Sequence, residues 1–189
     1  MGILLRNYDN LPILATKRLY LRPMLPSDTD VVVRWRNSKH VSEMSRESFQ
    51  RSITPKQHLE WFHRTRQHRV DYIIMQLDGN VPIGSVNYTL CEINGYERSA
   101  LSGRYIGEVD MMGRGYAFEA AHRWLSFGFE ELQLEFIWGY TREQNLPNIW
   151  YNRKLGLRVT PFPPELRPEE PGWVCMQITK KDWGRMLKC

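Results

Sequence analysis

The stretch best suited to chemistry is "GEVDMMGRGYAFEAAHRWLSFGFEEL", which begins at Gly107. Gly113 and Gly115 flank Arg114, and a run with helical spacing follows at once. A glycine-rich turn feeding a helix gathers backbone N–H groups that lack helical partners at the positive end of the dipole, which suits a phosphate. The neighbouring residues narrow the choice. A nucleotide P-loop needs Lys and then Ser or Thr after its second glycine, but Gly115 is followed by Tyr116 and Ala117. A dinucleotide fingerprint counted from Gly113 needs Gly or Ala where Phe118 stands, and an acid at the end of the next strand, which Glu135 instead opens. A glycine turn with a packing role only stays open on this loop alone.

Several elements must position that loop. "RLYLRPM" (18–24) alternates apolar and polar residues and predicts a first strand. Pro26-Ser27-Asp28 opens a helix running to about Asn37, with Ser27 or Asp28 near its cap. A second helix starts at Thr54, with Pro55 at its first position. "DYIIMQL" and "VPIGSVNYTLCEI" read as strands joined by the turn Asp78-Gly79-Asn80, and a turn at Asn94-Gly95 leads to the strand "ALSGRYIGEV". After the loop, Ala117, Ala120, Ala121, Trp124, Leu125 and Gly128 recur at three- and four-residue steps, so one helix face packs on a sheet. "LEFIWGY" is the next strand, Asn145-Leu146-Pro147 caps a short helix ending near Gly156, and "WVCMQIT" is the last strand. A proline-rich segment, 161–171, reads as a loop or excursion between them. Three hairpin-linked strands followed by alternating units predict an α/β (α+β) fold.

At 189 residues the chain is expected to form a single domain, 1–189, with a core over about 16–180. No apolar run reaches the ~18–20 residues that span a bilayer, and Arg6 and Asp9 interrupt the start against a signal peptide. The myristoylation pattern fails at Arg6, where Ser or Thr is needed. Cys91, Cys175 and Cys189, scattered and odd in number, argue for a reducing cytoplasm rather than a disulfide framework. The net charge of +5 suits an anionic ligand. The basic run from His63 to Arg69 reads as a solvated helix end, and no nucleic-acid motif accompanies it. His58, His63 and His68 are spaced by five, which rotates them about 140° apart on a helix, so no metal site is expected.

The chain resembles the GNAT N-acetyltransferases. "MGRGYAFEA" is similar to their acetyl-CoA loop, Gln/Arg-x-x-Gly-x-Gly/Ala, with Met112 first, Gly115 the invariant glycine and Ala117 last. "NLPNIWYNRKLGL" resembles the family's second segment through Asn145, Lys154 and Gly156. "TKRLYLRP" looks like the opening of the RimJ/RimL branch, which acetylates protein N-termini. "WRNSKHVSEM", "ITPKQHLEWF" and "DGNVPIGSV" are more similar to the aminosugar-nucleotide acetyltransferases of the PseH type. Two positions depart from the pattern: Met112 replaces a polar residue, and Asn152 stands where many relatives place a tyrosine that protonates the leaving thiolate.

The resemblance implies a mixed, mostly antiparallel sheet of six to seven strands flanked by helices, with acetyl-CoA as co-substrate and no metal. It implies pyrophosphate on the N–H groups of Gly113, Arg114, Gly115, Tyr116 and Ala117. The backbone of Tyr105, Ile106 and Gly107 would pair with the pantetheine arm, and Asn145 would lie near that arm as well as capping its helix. Glu108 is the leading candidate base, against a solvent-facing loop acid; Asp110 is a weaker one, and Tyr151 is the default proton donor. Trp35, Arg36, Asn37 and His40 lie where relatives cover the acceptor, although Trp35 as core and the others as helix cap is an equal alternative. The expected partner is a small-molecule amine, with a nucleotide-linked aminosugar first and a protein N-terminus second. Neither nucleic acid nor membrane is expected, and a homodimer is compatible. A non-catalytic acyl-CoA-binding module is the reading from a different class.

Overall fold

The structure is a computed structural model describing residues 10–44, 52–93, 95–163, 168 and 171–187. Asn94 of the expected turn, the N-terminal residues 1–9, most of the proline-rich segment and Cys189 lie outside the described residues.

Alternation produces β2 (Leu19–Pro23), whose Leu19 and Leu21 are fully buried, and a two-residue β1 (Leu14–Ala15) pairs with it. A 3-10 turn at Pro26–Asp28 leads into α1 (Thr29–Asn37). The Asp28 carboxylate fixes that entry, accepting from Leu25 N at 2.8 Å and from both Arg22 amino groups. A short α2 (Lys39–Ser42) follows, and then α3 (Pro55–Thr65). The α3 start is a reciprocal box: Thr54 Oγ1 accepts from Gln57 N, and Gln57 Oε1 accepts from Thr54 N. β3 (Arg69–Gln76), β4 (Val81–Ile93) and β5 (Tyr96–Ile106) form an antiparallel meander. Then come α4 (Tyr116–Ser126) with a π turn at Phe127–Glu131, β6 (Phe136–Arg142), α5 (Leu146–Lys154), β7 (Arg158–Thr160), β8 (Trp173–Thr179) and α6 (Lys180–Met186).

Among the described residues the sheet has eight strands in the order β1-β2-β3-β4-β5-β6-β8-β7. That corrects the expected six to seven. The additional strands, β1 and β7, are two and three residues long, too short to show a period of two. Side chains that alternate along the strands fill two layers. On the α4 side, Tyr88 stacks on Trp124 at 4.5 Å and Tyr72 packs against Trp124 and Phe127. Gly128 is required there, because a Cβ would lie 2.7 Å from the Tyr88 hydroxyl. On the opposite side, Trp35, Phe62, Ile73 and Met75 form a smaller core under α1 and α3.

Two irregularities prepare the site. Gly84 sits so close to β5 that a Cβ would meet the Tyr105 carbonyl at 2.3 Å, and the Ile83 carbonyl accepts from both Gly107 N and Glu108 N. More important, β5 and β6 are the only parallel neighbours among the described strands, and their ladder covers only Ser99, Ala100 and Leu101 against Phe136, Ile137 and Trp138. Past Leu101 the two strands exchange no further ladder bonds, which opens the sheet.

Candidate active site

The glycine loop becomes a crescent of donors. Gly113 and Gly115 have φ of +71° and +79°, left-handed values that favour glycine. Gly115 is the residue before α4, so the helix begins directly on the turn. Among the described residues no acceptor is found for the N–H groups of Gly113, Arg114 and Gly115, and those of Tyr116, Ala117 and Phe118 belong to the first helical turn, which has no helical partners of its own. Arg18 pins the crescent to β2: its guanidinium donates to the Arg114 carbonyl at 3.0 Å, pairs with Glu119 at 2.7 Å, and lies 4.6 Å over the Tyr116 ring. Preorganised donors at the positive end of a helix fit a pyrophosphate.

A cavity of about 990 Å³ runs from this crescent through the gap between β5 and β6. Tyr105, Ile106, Met112, Asn145, Tyr151 and Asn152 all line it. Asn145 caps α5, its Oδ1 accepting from Asn148 N at 3.3 Å. Tyr151 packs against Phe118 at 5.8 Å. Arg104 on β5 reaches α5 and donates from Nη2 to Asn148 Oδ1 at 2.6 Å and Asn152 Oδ1 at 2.7 Å. Asn148 in turn donates to Thr141 on β6 at 3.0 Å. One polar chain therefore bridges β5, α5 and β6 at the gap. Burial lowers the Arg104 guanidinium to about 10, which leaves it charged at neutral pH.

The cavity continues onto the α1/α3 side, where Arg36, Trp61, Arg69, Asp71, Ser85 and Tyr105 line it. Asp71 is buried and accepts from Arg69 Nε at 2.9 Å; burial pushes its carboxyl above the usual range, against the pull of Arg69. Burial also lowers the Arg36 guanidinium.

The four residues predicted to cover the acceptor are divided by the structure. Arg36 and His40 line the cavity, and His40 Nε2 donates to the Gly107 carbonyl at 3.0 Å. Trp35 is 1% exposed and belongs to the core, and Asn37 ties α1 to Ile53 through two 2.9 Å bonds. Neither lines the cavity.

Glu108 is likewise drawn away from base chemistry. Its carboxylate accepts from Arg34 at 2.5 Å and from Trp35 Nε1 at 2.8 Å, and it is not among the lining residues. Chiefly through the Arg34 bond, its carboxyl is held below the usual range, which makes it a weaker base than its place at the strand end suggested. Asp110 is exposed in the 3-10 turn Val109–Met111. His58 is buried against Thr29 and Trp61, and burial lowers it to about 4, so it is a neutral core residue.

The acetyltransferase (GNAT) domain model matches residues 18–158. The chain belongs to the GNAT acetyltransferase family. Its donor is acetyl-CoA. Solved GNAT folds cover nearly the whole chain. Spermidine N-acetyltransferase from Vibrio cholerae, in complex with CoA and spermine, aligns with a TM-score of 0.74 at 18% identity, over 89% of this chain and 99% of that one. An aminoglycoside acetyltransferase in complex with coenzyme A gives 0.71 at 17%, over 88% and 98%. RimJ from Mycobacterium smegmatis with CoA-disulfide gives 0.71 at 16%, over 90% and 88%. Sequence reasoning missed several cavity residues of this GNAT domain: Arg104, Arg69 and Asp71. For Arg104 and Asp71 the signal was a charged side chain in a strand pattern, where burial makes a charge expensive unless it is paired or used; Arg69 was read with the solvated helix end, whereas it opens β3 and pairs with Asp71. Among the described residues no helix is long and apolar enough to cross a membrane.

Proposed function

We propose that this GNAT domain transfers the acetyl group of acetyl-CoA to a primary amine of a small acceptor that also carries a phosphate, with a nucleotide-linked aminosugar of the PseH-type class as the first choice. The observation that carries the reading is the charge of the acceptor half of the cavity. Two guanidinium groups, Arg36 and Arg69, face one carboxylate, Asp71, which Arg69 already engages. Among the described residues the other acid in the lining, Glu43, lies 3.6 Å from Lys39. A positive half-cavity attracts a phosphate or diphosphate and repels a polycation. Trp61 and Tyr105 add aromatic faces on which a sugar or base can lie. Cys91 and Cys175 are free thiols, as suits a cytoplasmic enzyme.

In this reading the crescent from Gly113 to Ala117 holds the pyrophosphate. Bound there, acetyl-CoA supplies an activated thioester. The backbone of Tyr105 and Ile106 and the cap residue Asn145 orient its arm, while Gly107, whose N–H and carbonyl are taken by Ile83 and His40, does not pair with it; Arg36 and Arg69 hold the acceptor so that its neutral amine faces the gap. The amine's proton goes to water on the acceptor side, and Tyr151 supplies a hydroxyl on the donor side. Glu108 acts as an anchor, tying Arg34 and Trp35 to the end of β5.

The deciding experiment is release of free CoA thiol from acetyl-CoA against a panel of aminosugar nucleotides, aminoglycosides, polyamines and N-terminal peptides. Release is expected with an aminosugar nucleotide, and Arg36→Gln should raise the acceptor KM about tenfold or more while leaving acetyl-CoA affinity within twofold. Release confined to polyamines or aminoglycosides would overturn the anionic acceptor. Release confined to peptides would favour a RimJ/RimL-like role. Tight acetyl-CoA binding with no release across the panel would make this a binding module. For Glu108→Gln the expected loss in kcat/KM is below about fivefold, because an exposed pair contributes at most about 1 kcal/mol. The acid limb of its pH profile should stay in place, and a displaced limb would restore Glu108 as the base.

A further inference from the structure

We infer that Arg104 is a catalytic residue whose guanidinium, fixed by Asn148 and Asn152 in the gap between β5 and β6, stabilises the negative charge that develops on the sulfur of coenzyme A as the acetyl group is transferred. The inference rests on the acetyl-CoA reading above and adds a residue to it.

A guanidinium half-buried in a cavity wall normally sits against a carboxylate, since desolvating an isolated cation is costly. Arg104 has none among the described residues. Among the described residues its hydrogen-bond partners are two neutral amide oxygens, both reached from Nη2, and none of the described residues accepts from Nε or Nη1. The side chain lines the cavity on the strand that continues into Tyr105–Gly107. It is also rigidly held, because Asn148 is anchored to Thr141 across the gap and Asn152 is buried in α5. A cation fixed before reaction stabilises a developing anion without reorganising.

The phosphates of the donor have their own site in the loop crescent. The acceptor has Arg36 and Arg69, which accompany Tyr105 on the α1/α3 side of the sheet. Arg104 alternates with Tyr105 and reaches the opposite side, toward α5. The anion that thioester chemistry creates on that side is the departing thiolate. The nitrogen lone pair of the amine forms the new bond to the acetyl carbon, the carbon–sulfur bond breaks, and its electron pair stays on sulfur. The proton of the new ammonium goes to water, and the thiolate takes one from Tyr151 or solvent. A guanidinium titrating near 10 stays protonated at neutral pH, so Arg104 contributes charge and not a proton. The tyrosine missing at position 152 then has a functional replacement in the cation that Asn152 holds.

The test titrates the thiol of bound coenzyme A by its ultraviolet thiolate absorbance, with the complex of dethio-coenzyme A as blank so that the protein's own cysteines cancel. With the wild-type protein the bound thiol should titrate at least one unit below that of free coenzyme A titrated alongside, which is tenfold more thiolate at a given lower pH. Arg104→Gln should return it to the free value or above, and Arg104→Lys should retain part of the shift. Arg104→Gln should also lower kcat about 100-fold with acetyl-CoA affinity within a few-fold. A wild-type thiol titrating as in water, or equally in wild type and Arg104→Gln, overturns the inference. If Arg104→Gln does not fold, the wild-type titration decides alone. Absence of coenzyme A binding to the wild type would instead refute the acetyl-CoA reading, so the two failures are distinct.

Discussion

Gly115→Asp is expected to fold and to lose acetyl-CoA binding by more than about 100-fold. Gly115 has φ +79° and immediately precedes α4, and aspartate is among the few side chains that tolerate the left-handed region. It is also a favoured helix cap, so its carboxylate would accept from the first-turn N–H groups meant for the pyrophosphate. A Cβ at this position lies 3.5 Å from Arg18 Nη2, which would hold the new carboxylate in place. The variant thus fills the anion site with its own anion, and stability should change by less than about 1 kcal/mol. Gly115→Asn, which can cap without charge, should lose far less affinity and so separate charge from shape. Calorimetric titration with acetyl-CoA checks both, and an unchanged dissociation constant in Gly115→Asp would remove the pyrophosphate from this loop.

Gly107→Ala is expected to damage the fold as well as the site. Its Cβ would fall 2.2–2.4 Å from three ring atoms of Trp35, a contact no side chain sustains. The indole cannot yield cheaply. It is 1% exposed, meets Tyr105 edge-on at 6.1 Å, and donates to Glu108. Overpacking of this kind costs about 1–3 kcal/mol and occasionally more, and roughly 3 kcal/mol would lower Tm by about 6–12 °C for a chain of this size. Combining Gly107→Ala with Trp35→Ala should cost clearly less than the sum of the two single changes, because the clash disappears with the ring. Additive losses in urea unfolding would show that Gly107 and Trp35 do not oppose each other.

The long elements were legible because their signals are local. Thr54-Pro55 with Gln57 states a helix start in four residues, and the glycines at 113 and 115 announce a turn whatever surrounds them. The glycine crescent is built from backbone around that turn, so its form could be read in one stretch. The cavity on the α1/α3 side was legible only in part, through Arg36 and Tyr105. Arg69 and Asp71 join them only when α1 packs over β3 and β5. Trp35 and Asn37 show the reverse error: adjacent to Arg36 in sequence, they turn to the core and to Ile53, since neighbouring helical residues point about 100° apart. Glu108 was placed correctly at the strand end, but its partner Arg34 lies 74 positions away, and that pairing is what weakens it as a base.

With only three residue pairs joining β5 to β6, the sheet is two antiparallel halves, β1 to β5 and β6-β8-β7, held at a narrow seam. A molecule lodged in the gap touches both halves, so part of its binding free energy is spent resisting their separation and counts as folding stability. A ligand bound across the seam would bear the conformational entropy of closing it, and a second ligand would then meet a seam already closed. In the proposed complex acetyl-CoA would bridge the gap while the acceptor rests mainly on one side of it. The donor would then act as a brace, and its binding would strengthen the acceptor's even where the two ligands never touch.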